Sequence, residues 1–273
     1  MPRARRSRLL FVLKHIWIPL GIGALLLALA GTNLDRAVSG WFYAAAAGRF
    51  YLRYNSMLET VMHQWAKYLV VLLACSVTGA WLFSFAAERL RPWRRLLLFL
   101  GLSLALAPGT VAVLKPIGSK HCPYDLAEYG GFAPYRALLE PPPPDVKAAH
   151  CLLSGHASTG FALLAFYFVG LALRRPRLAL TGLWAGLAAG LIFGLTRVAQ
   201  GAHFLSGILW PGLICWLVIL VLYVALFGAR DDARAEIASA SPDPDTAVGR
   251  GEAPDSRPEP TPPSGTPAHA ECR

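Results

Sequence analysis

A chain of 273 residues with 55% hydrophobic and only 15% charged residues, and a mean hydropathy of +0.44, is not a soluble globular protein. Such proteins carry roughly 25% charged residues. The net charge of +10 would suggest nucleic acid in a soluble protein. Here the basic residues stand in short clusters between apolar runs, which is a membrane-topology signal and speaks against a nucleic-acid partner.

A spanning helix needs about 20 mostly apolar residues. Six segments qualify: Val12–Ala30, Ala66–Ala86, Leu96–Leu114, Ser158–Leu173, Leu178–Leu195 and Phe204–Phe227. The first follows a basic start like that of a signal peptide, but its apolar run is longer than a typical signal core, so it is read as an uncleaved anchor. Between the first two, Thr32–Trp65 mixes Trp41, Phe42, Tyr43, Phe50, Tyr51 and Tyr54 with Arg49 and Arg53, a composition that suits a helix lying in the membrane interface. The fifth segment carries Gly182, Gly186, Gly190 and Gly194 at four-residue spacing, one face on which a neighbouring helix can pack closely. From about residue 229 the chain turns to Pro, Asp, Ala and Ser and cannot bury a core. The expected organisation is an all-α, six-helix membrane domain over residues 1–228 with an outer-face loop, and a disordered cytoplasmic tail over 229–273.

Basic clusters at Arg3–Arg8, Arg89–Arg95 and Arg174–Arg177, joined by Arg230 and Arg234, assign one side as cytoplasmic and place both termini there. Thr32–Trp65, Lys115–Ala157 and Thr196–His203 are then outside. Lys115 ends the third helix, Ser154, Gly155 and His156 open the fourth, Arg197 ends the fifth, and His203 begins the sixth. All therefore share one depth, as in sites built from bundle helix ends. The set suits a phosphate. Lys115 and Arg197 are cationic donors, and Ser154 as an N-cap aims the first-turn N–H groups at an anion. Of the two histidines, one can attack phosphorus and the other can protonate the leaving oxygen. Arg197 and His203 on one unbroken helix would point apart, at about 100° per residue; Gln200-Gly201 supplies the break.

These residues resemble the type 2 phosphatidic acid phosphatase (lipid phosphate phosphatase) family, whose site combines KxxxxxxRP, PSGH and SRxxxxxHxxxD. The corresponding stretches here are Lys115 through Cys122-Pro123, Leu153-Ser154-Gly155-His156, and Thr196-Arg197 followed by His203. His121–Leu126 and Gly201–Ser206 look like a bacterial branch of the family, which implies a bacterial inner membrane with a periplasmic site. The resemblance implies His203 as nucleophile through a phosphohistidine, His156 as acid, and Lys115, Ser154, Gly155 and Arg197 around the phosphoryl oxygens. It implies no metal, no cofactor and no obligate protein partner. The implied substrate is a phosphorylated membrane lipid: an isoprenoid diphosphate, lipid A or a phosphatidyl-type phosphate, cleaved by a phosphatase or a phosphotransferase.

Four motif positions depart from the pattern, of which Leu153 for the proline of PSGH and Thr196 for the leading serine are minor. The first motif's arginine is Cys122, for which Lys120, His121 or Arg136 can substitute. The third motif's aspartate, which orients the nucleophile in the family, is Gly207. Ser206, Asp125 or Glu128 can replace it, with Asp125 expected at the site ahead of Glu128, or else capping a short loop helix. A degenerate relative that binds or moves an anionic lipid without turnover is the alternative reading. Of the five cysteines, Cys75 and Cys215 lie in apolar runs and Cys272 in the tail. Cys122 and Cys151 flank the long outer loop and are a disulfide candidate in an oxidising compartment, the alternative being two free thiols. None has zinc-ligand spacing. The charge pattern predicts that a topology reporter fused near Pro142 behaves as periplasmic; a cytoplasmic signal there would reverse the orientation.

Overall fold

The computed structural model describes residues 3–30, 32–137, 140 and 149–228. The expected tail over 229–273, with Arg230, Arg234 and Cys272, lies outside the described residues, as does the expected reporter position at Pro142. Helix α1 (Arg3–Leu29) is followed by the short α2 (Leu34–Gly40), then α3 (Ala66–Phe83) and α4 (Arg94–Leu114). After the loop come α5 (Gly155–Phe161) and α6 (Ala165–Ala172), joined into one rod by a 3-10 turn at Ala162–Leu164. The chain closes with α7 (Pro176–Ala199) and α8 (Leu205–Phe227). Five helical stretches are long and apolar enough to cross a bilayer: Leu10–Leu29, Glu88–Ile117, Gly155–Ala172, Pro176–Ala199 and Leu205–Phe227. Lys67–Phe83 is apolar but shorter. Trp17, Ile18, Leu72, Phe83, Val113, Trp184, Ile192 and Val221 point outward, an arrangement that suits lipid and not water. The chain is an all-α polytopic membrane protein.

The segment expected as one interfacial helix is built differently. Thr32–Trp65 contains α2, a two-stranded hairpin pairing β1 (Tyr43–Ala44) with β2 (Arg49–Phe50), and a π-helical turn at Leu58–Trp65 that runs into α3. Gly48 breaks the helix: it sits at φ +62° in the hairpin turn, a left-handed conformation that glycine adopts without steric cost. The aromatic residues then divide. Trp41, Tyr51 and Tyr54 are exposed, whereas Phe50 is buried, edge-on to Tyr43 and Tyr129 with ring centroids 5.4 and 5.3 Å away.

Helix α7 packs on α5 and α6, and α8 on α4, α1 and α5. The α7 glycine face is the tightest seam. A Cβ at Gly182 would stand 2.5 Å from the backbone of Phe166 and one at Gly186 2.6 Å from the backbone of Leu164, while one at Gly190 would enter the Phe161 ring. As the α7 numbers rise the partner numbers fall, so the two rods run antiparallel and the Arg197 end of α7 lies at the His156 end of α5. Backbone-to-backbone approach of this kind leaves no side chain to yield. Gly182→Ala is therefore expected to destabilise the fold by about 1–3 kcal/mol, read as a lower melting temperature in detergent. Gly79→Ala, where an added Cβ meets nothing within 4 Å, is the control and should not lower it.

Candidate active site

Helix α7 ends in a turn that delivers His203. The N–H of Gly201 donates to the Val198 carbonyl and that of Ala202 to the Arg197 carbonyl, both at 2.8 Å, the paired bonds of a glycine-terminated helix. Gly201 takes φ +72°, and a Cβ there would run into the Phe50 ring. The expected break at Gln200-Gly201 is thus a backbone necessity. Arg197, in the last turn of α7, donates through Nη1 to Gln200 Oε1 at 2.7 Å. Thr196 donates back to the Phe193 carbonyl at 2.8 Å.

The start of α5 is set by Ser154, which is fully buried. Its Oγ accepts from the Ala157 N–H at 3.4 Å, an N-cap, and its own N–H donates to the Gly207 carbonyl at 2.9 Å. Above this turn there is room, since a Cβ on Gly155 would meet nothing within 4 Å. Lys115 caps the end of α4. The structure brings these expected residues around His203, which is buried at 7% exposure. Burial foremost, then the charges of Lys115 and Arg197 and the neighbouring His156, lower its pKa to about 4, against the opposing pull of a hydrogen bond to Cys151.

That hydrogen bond fills the gap left by Gly207. His203 Nδ1 lies 3.0 Å from the Cys151 carbonyl oxygen. A carbonyl can only accept, so Nδ1 carries the hydrogen and Nε2 of the neutral ring keeps its lone pair. A Cβ on Gly207 would lie 3.0 Å from the Leu152 carbonyl oxygen and 3.4 Å from that of Cys151. The loop backbone therefore occupies the space where the motif aspartate's side chain would stand. Cys151 is held in turn by its N–H to the Lys120 carbonyl at 3.0 Å and by a disulfide to Cys122, with Cα atoms 5.1 Å apart.

The loop carboxylates are engaged elsewhere. Asp125, expected at the site, accepts instead from the Cys122 N–H at 3.3 Å in a capping box around the 3-10 turn Pro123–Asp125, and lies 3.9 Å from His121. Its geometry is that of a cap because a short turn starting at Pro123 leaves the Cys122 N–H in need of an acceptor. Glu128 pairs with Arg36 at 2.6 Å. The residue that sequence reasoning missed is Asp35 on α2. Its Oδ1 accepts from the Ser206 N–H at 2.9 Å, its Oδ2 from the Ser206 hydroxyl at 2.5 Å, and Oδ2 also meets Lys120 Nζ at 3.1 Å. It thus caps the start of α8 directly after His203. No spacing in the sequence ties Asp35 to Ser206.

Comparison with known proteins identifies the family. The family model of the PAP2 superfamily matches residues 96–231, a range that holds Lys115, Ser154, Gly155, His156, Arg197 and His203. The chain is similar to a lipid A 4'-phosphatase of Francisella tularensis subsp. novicida (strain U112). The two are 27% identical over 207 residues, covering 73% of this chain and 89% of that protein. No solved structure matches. With four helix ends converging on one buried histidine and the family's motifs in register, the chain belongs to the PAP2 superfamily.

Proposed function

We propose that this protein is a lipid phosphate phosphatase of the bacterial inner membrane, acting at the periplasmic face. The observation that carries the reading is the His203 Nδ1–Cys151 carbonyl bond, which leaves Nε2 available as a nucleophile inside a cationic cluster. Nε2 attacks the phosphorus of a lipid phosphate held by Lys115, Arg197 and the N–H groups of the α5 first turn. The bond from phosphorus to the lipid oxygen breaks as His156 gives that oxygen a proton. A phosphohistidine remains on His203. Water, losing its proton to the now neutral His156, attacks the phosphorus, phosphate leaves, and both rings regain their starting states. Lys115 and Arg197 supply the positive charge that the transferring group needs, so the reading requires no metal.

An apolar cavity supports a lipid substrate over a soluble one. It has a volume of about 520 Å³ and is lined by Val70, Val71, Leu104 and Pro108 together with Gly155 and His156. An acyl chain lying there would present its phosphate to the cluster. The name of the similar Francisella protein makes a lipid A phosphate the first substrate to test. The degenerate-binder reading expects the nucleophile to lack an orienting partner; the Cys151 carbonyl provides one and favours turnover.

Two outcomes test the chemistry. His203→Ala or His156→Ala should cut phosphate release from lipid A by at least ~100-fold in detergent-purified protein, with wild-type activity retained in EDTA. The His203 ring, followed by NMR, should stay neutral down to pH 5 and take its proton only as pH falls through about 4; a midpoint near the ordinary value of about 6.5 would remove the buried-nucleophile argument.

A further test is specific to this chain. Restoring the family's carboxylate as Gly207→Asp puts an anion against the Leu152 and Cys151 carbonyl oxygens, where acceptor faces acceptor. The variant should lose at least ~10-fold in turnover, equivalent to about 1.4 kcal/mol; a gain in rate would show that the carbonyl is a poor stand-in.

A further inference from the structure

Arg136 is a charged side chain buried to 8% exposure, and among the described residues it is incompletely satisfied. One terminal nitrogen, Nη2, donates to the Glu140 carbonyl, while Nε and Nη1 have no hydrogen-bond partner. Unmet buried donors are costly, and more so on a charged group. A guanidinium held in this state is expected to meet an acceptor from outside the fold.

The side chain faces a cavity of about 320 Å³ lined on its polar side by Ser119, Lys120 and Arg136 and on its apolar side by Leu114, Ile117 and Leu152. The cavity borders the phosphate cradle, because Leu114 precedes Lys115 and Leu153, also in its wall, precedes Ser154. It is nevertheless separate. None of Lys115, His156, Arg197 or His203 lines it, and Arg136 is not among the groups whose charge bears on His203. Arg136 therefore does not restore the missing clamp on the reacting phosphate. Lys120 on the same wall is already paired with Asp35, so Arg136 supplies the unsatisfied donors.

We propose that Arg136 forms a second anion subsite, which binds a phosphate of the lipid substrate other than the one being cleaved. The inference rests on the phosphatase reading and narrows it to lipids with two phosphates on one headgroup. The apolar wall suits the lipid part of such a molecule, and the guanidinium suits phosphate oxygens better than any other side chain.

The test compares full-length protein acting on lipid A carrying two phosphates with the same lipid carrying only the phosphate that is cleaved. The quantity read is the ratio of kcat/KM for the doubly over the singly phosphorylated lipid. Arg136→Gln should lower that ratio about tenfold, mostly through KM, as loss of a charge-assisted contact predicts. Ala137→Asp, at an exposed position in the cavity wall, should lower it in the same direction by repulsion and guards against misfolding of the buried variant. A ratio unchanged in both variants overturns the subsite, even if both activities fall together, since that pattern means Arg136 only supports the fold or binds water. If wild-type protein releases phosphate from neither lipid, the phosphatase reading fails by itself. The subsite is then judged by native mass spectrometry of lipid binding: a preference for the doubly phosphorylated lipid that Arg136→Gln abolishes sustains it, and no preference overturns it.

Discussion

The hydrogen bond from His203 Nδ1 to the Cys151 carbonyl is the constraint around which this end of the bundle is arranged. It fixes the tautomer of a ring that burial and its cationic neighbours keep neutral. A backbone carbonyl is a useful partner only if its peptide is immobile, and the chain secures it from both sides. The disulfide to Cys122 and the Cys151 N–H to Lys120 carbonyl bond hold the peptide before it, and the Ser154 N–H to Gly207 carbonyl bond holds the chain three residues on. The Tyr124 N–H to Gly201 carbonyl bond at 3.0 Å then ties the Cys122 turn to the turn that carries His203. Gly207 and Cys122, the two major departures from the family's motifs, are thus parts of one substitution. Glycine makes space for the loop backbone, and cysteine anchors the loop that fills it.

A neutral acceptor changes the energetics relative to a carboxylate. A carboxylate would favour the charged imidazole, raising its basicity, whereas a carbonyl orients the ring with less stabilisation of positive charge. On the proposed phosphohistidine route, attack on phosphorus gains less from this partner, while the phosphorylated ring, less stabilised as a cation, is the better leaving group for water. On the same route the cluster compensates on the phosphate side, where Lys115, Arg197 and the first turn of α5 would meet the transferring oxygens in a water-poor setting in which such contacts are strong.

The apolar helices, five of them long enough to span, the glycine seam and the meeting of helix ends were legible in the sequence because each rests on local periodicity: apolar run length, four-residue spacing, a cap before a helix and a glycine after one. Thr32–Trp65 was misread because aromatic and basic composition does not distinguish a helix from a hairpin, and the left-handed Gly48 decides it. The orienting acceptor was illegible for a deeper reason. Motif reasoning searches side chains, and the group that faces His203 is a main-chain carbonyl, which every residue carries. Asp125 attracted attention as a carboxylate in the right loop, yet its nearest unsatisfied donor was the Cys122 N–H one turn away, and the local bond won. Asp35 acts from a helix 171 residues from its partner Ser206, a distance that no spacing rule covers.

The same local commitments hold four acids of the surrounding segments in place. Four acids of the segments flanking the site each have another partner: Asp35 holds Ser206 and Lys120, Asp125 the Cys122 N–H, Glu128 Arg36, and Glu140 the Ala137 N–H at 3.0 Å. These four carboxylates, fixed on backbone or remote donors, are not available as tethered competitors of high effective concentration for the anion in the proposed reaction. The same bonds let these acids remain near the helix ends, where they brace α2, the loop and α8 against one another.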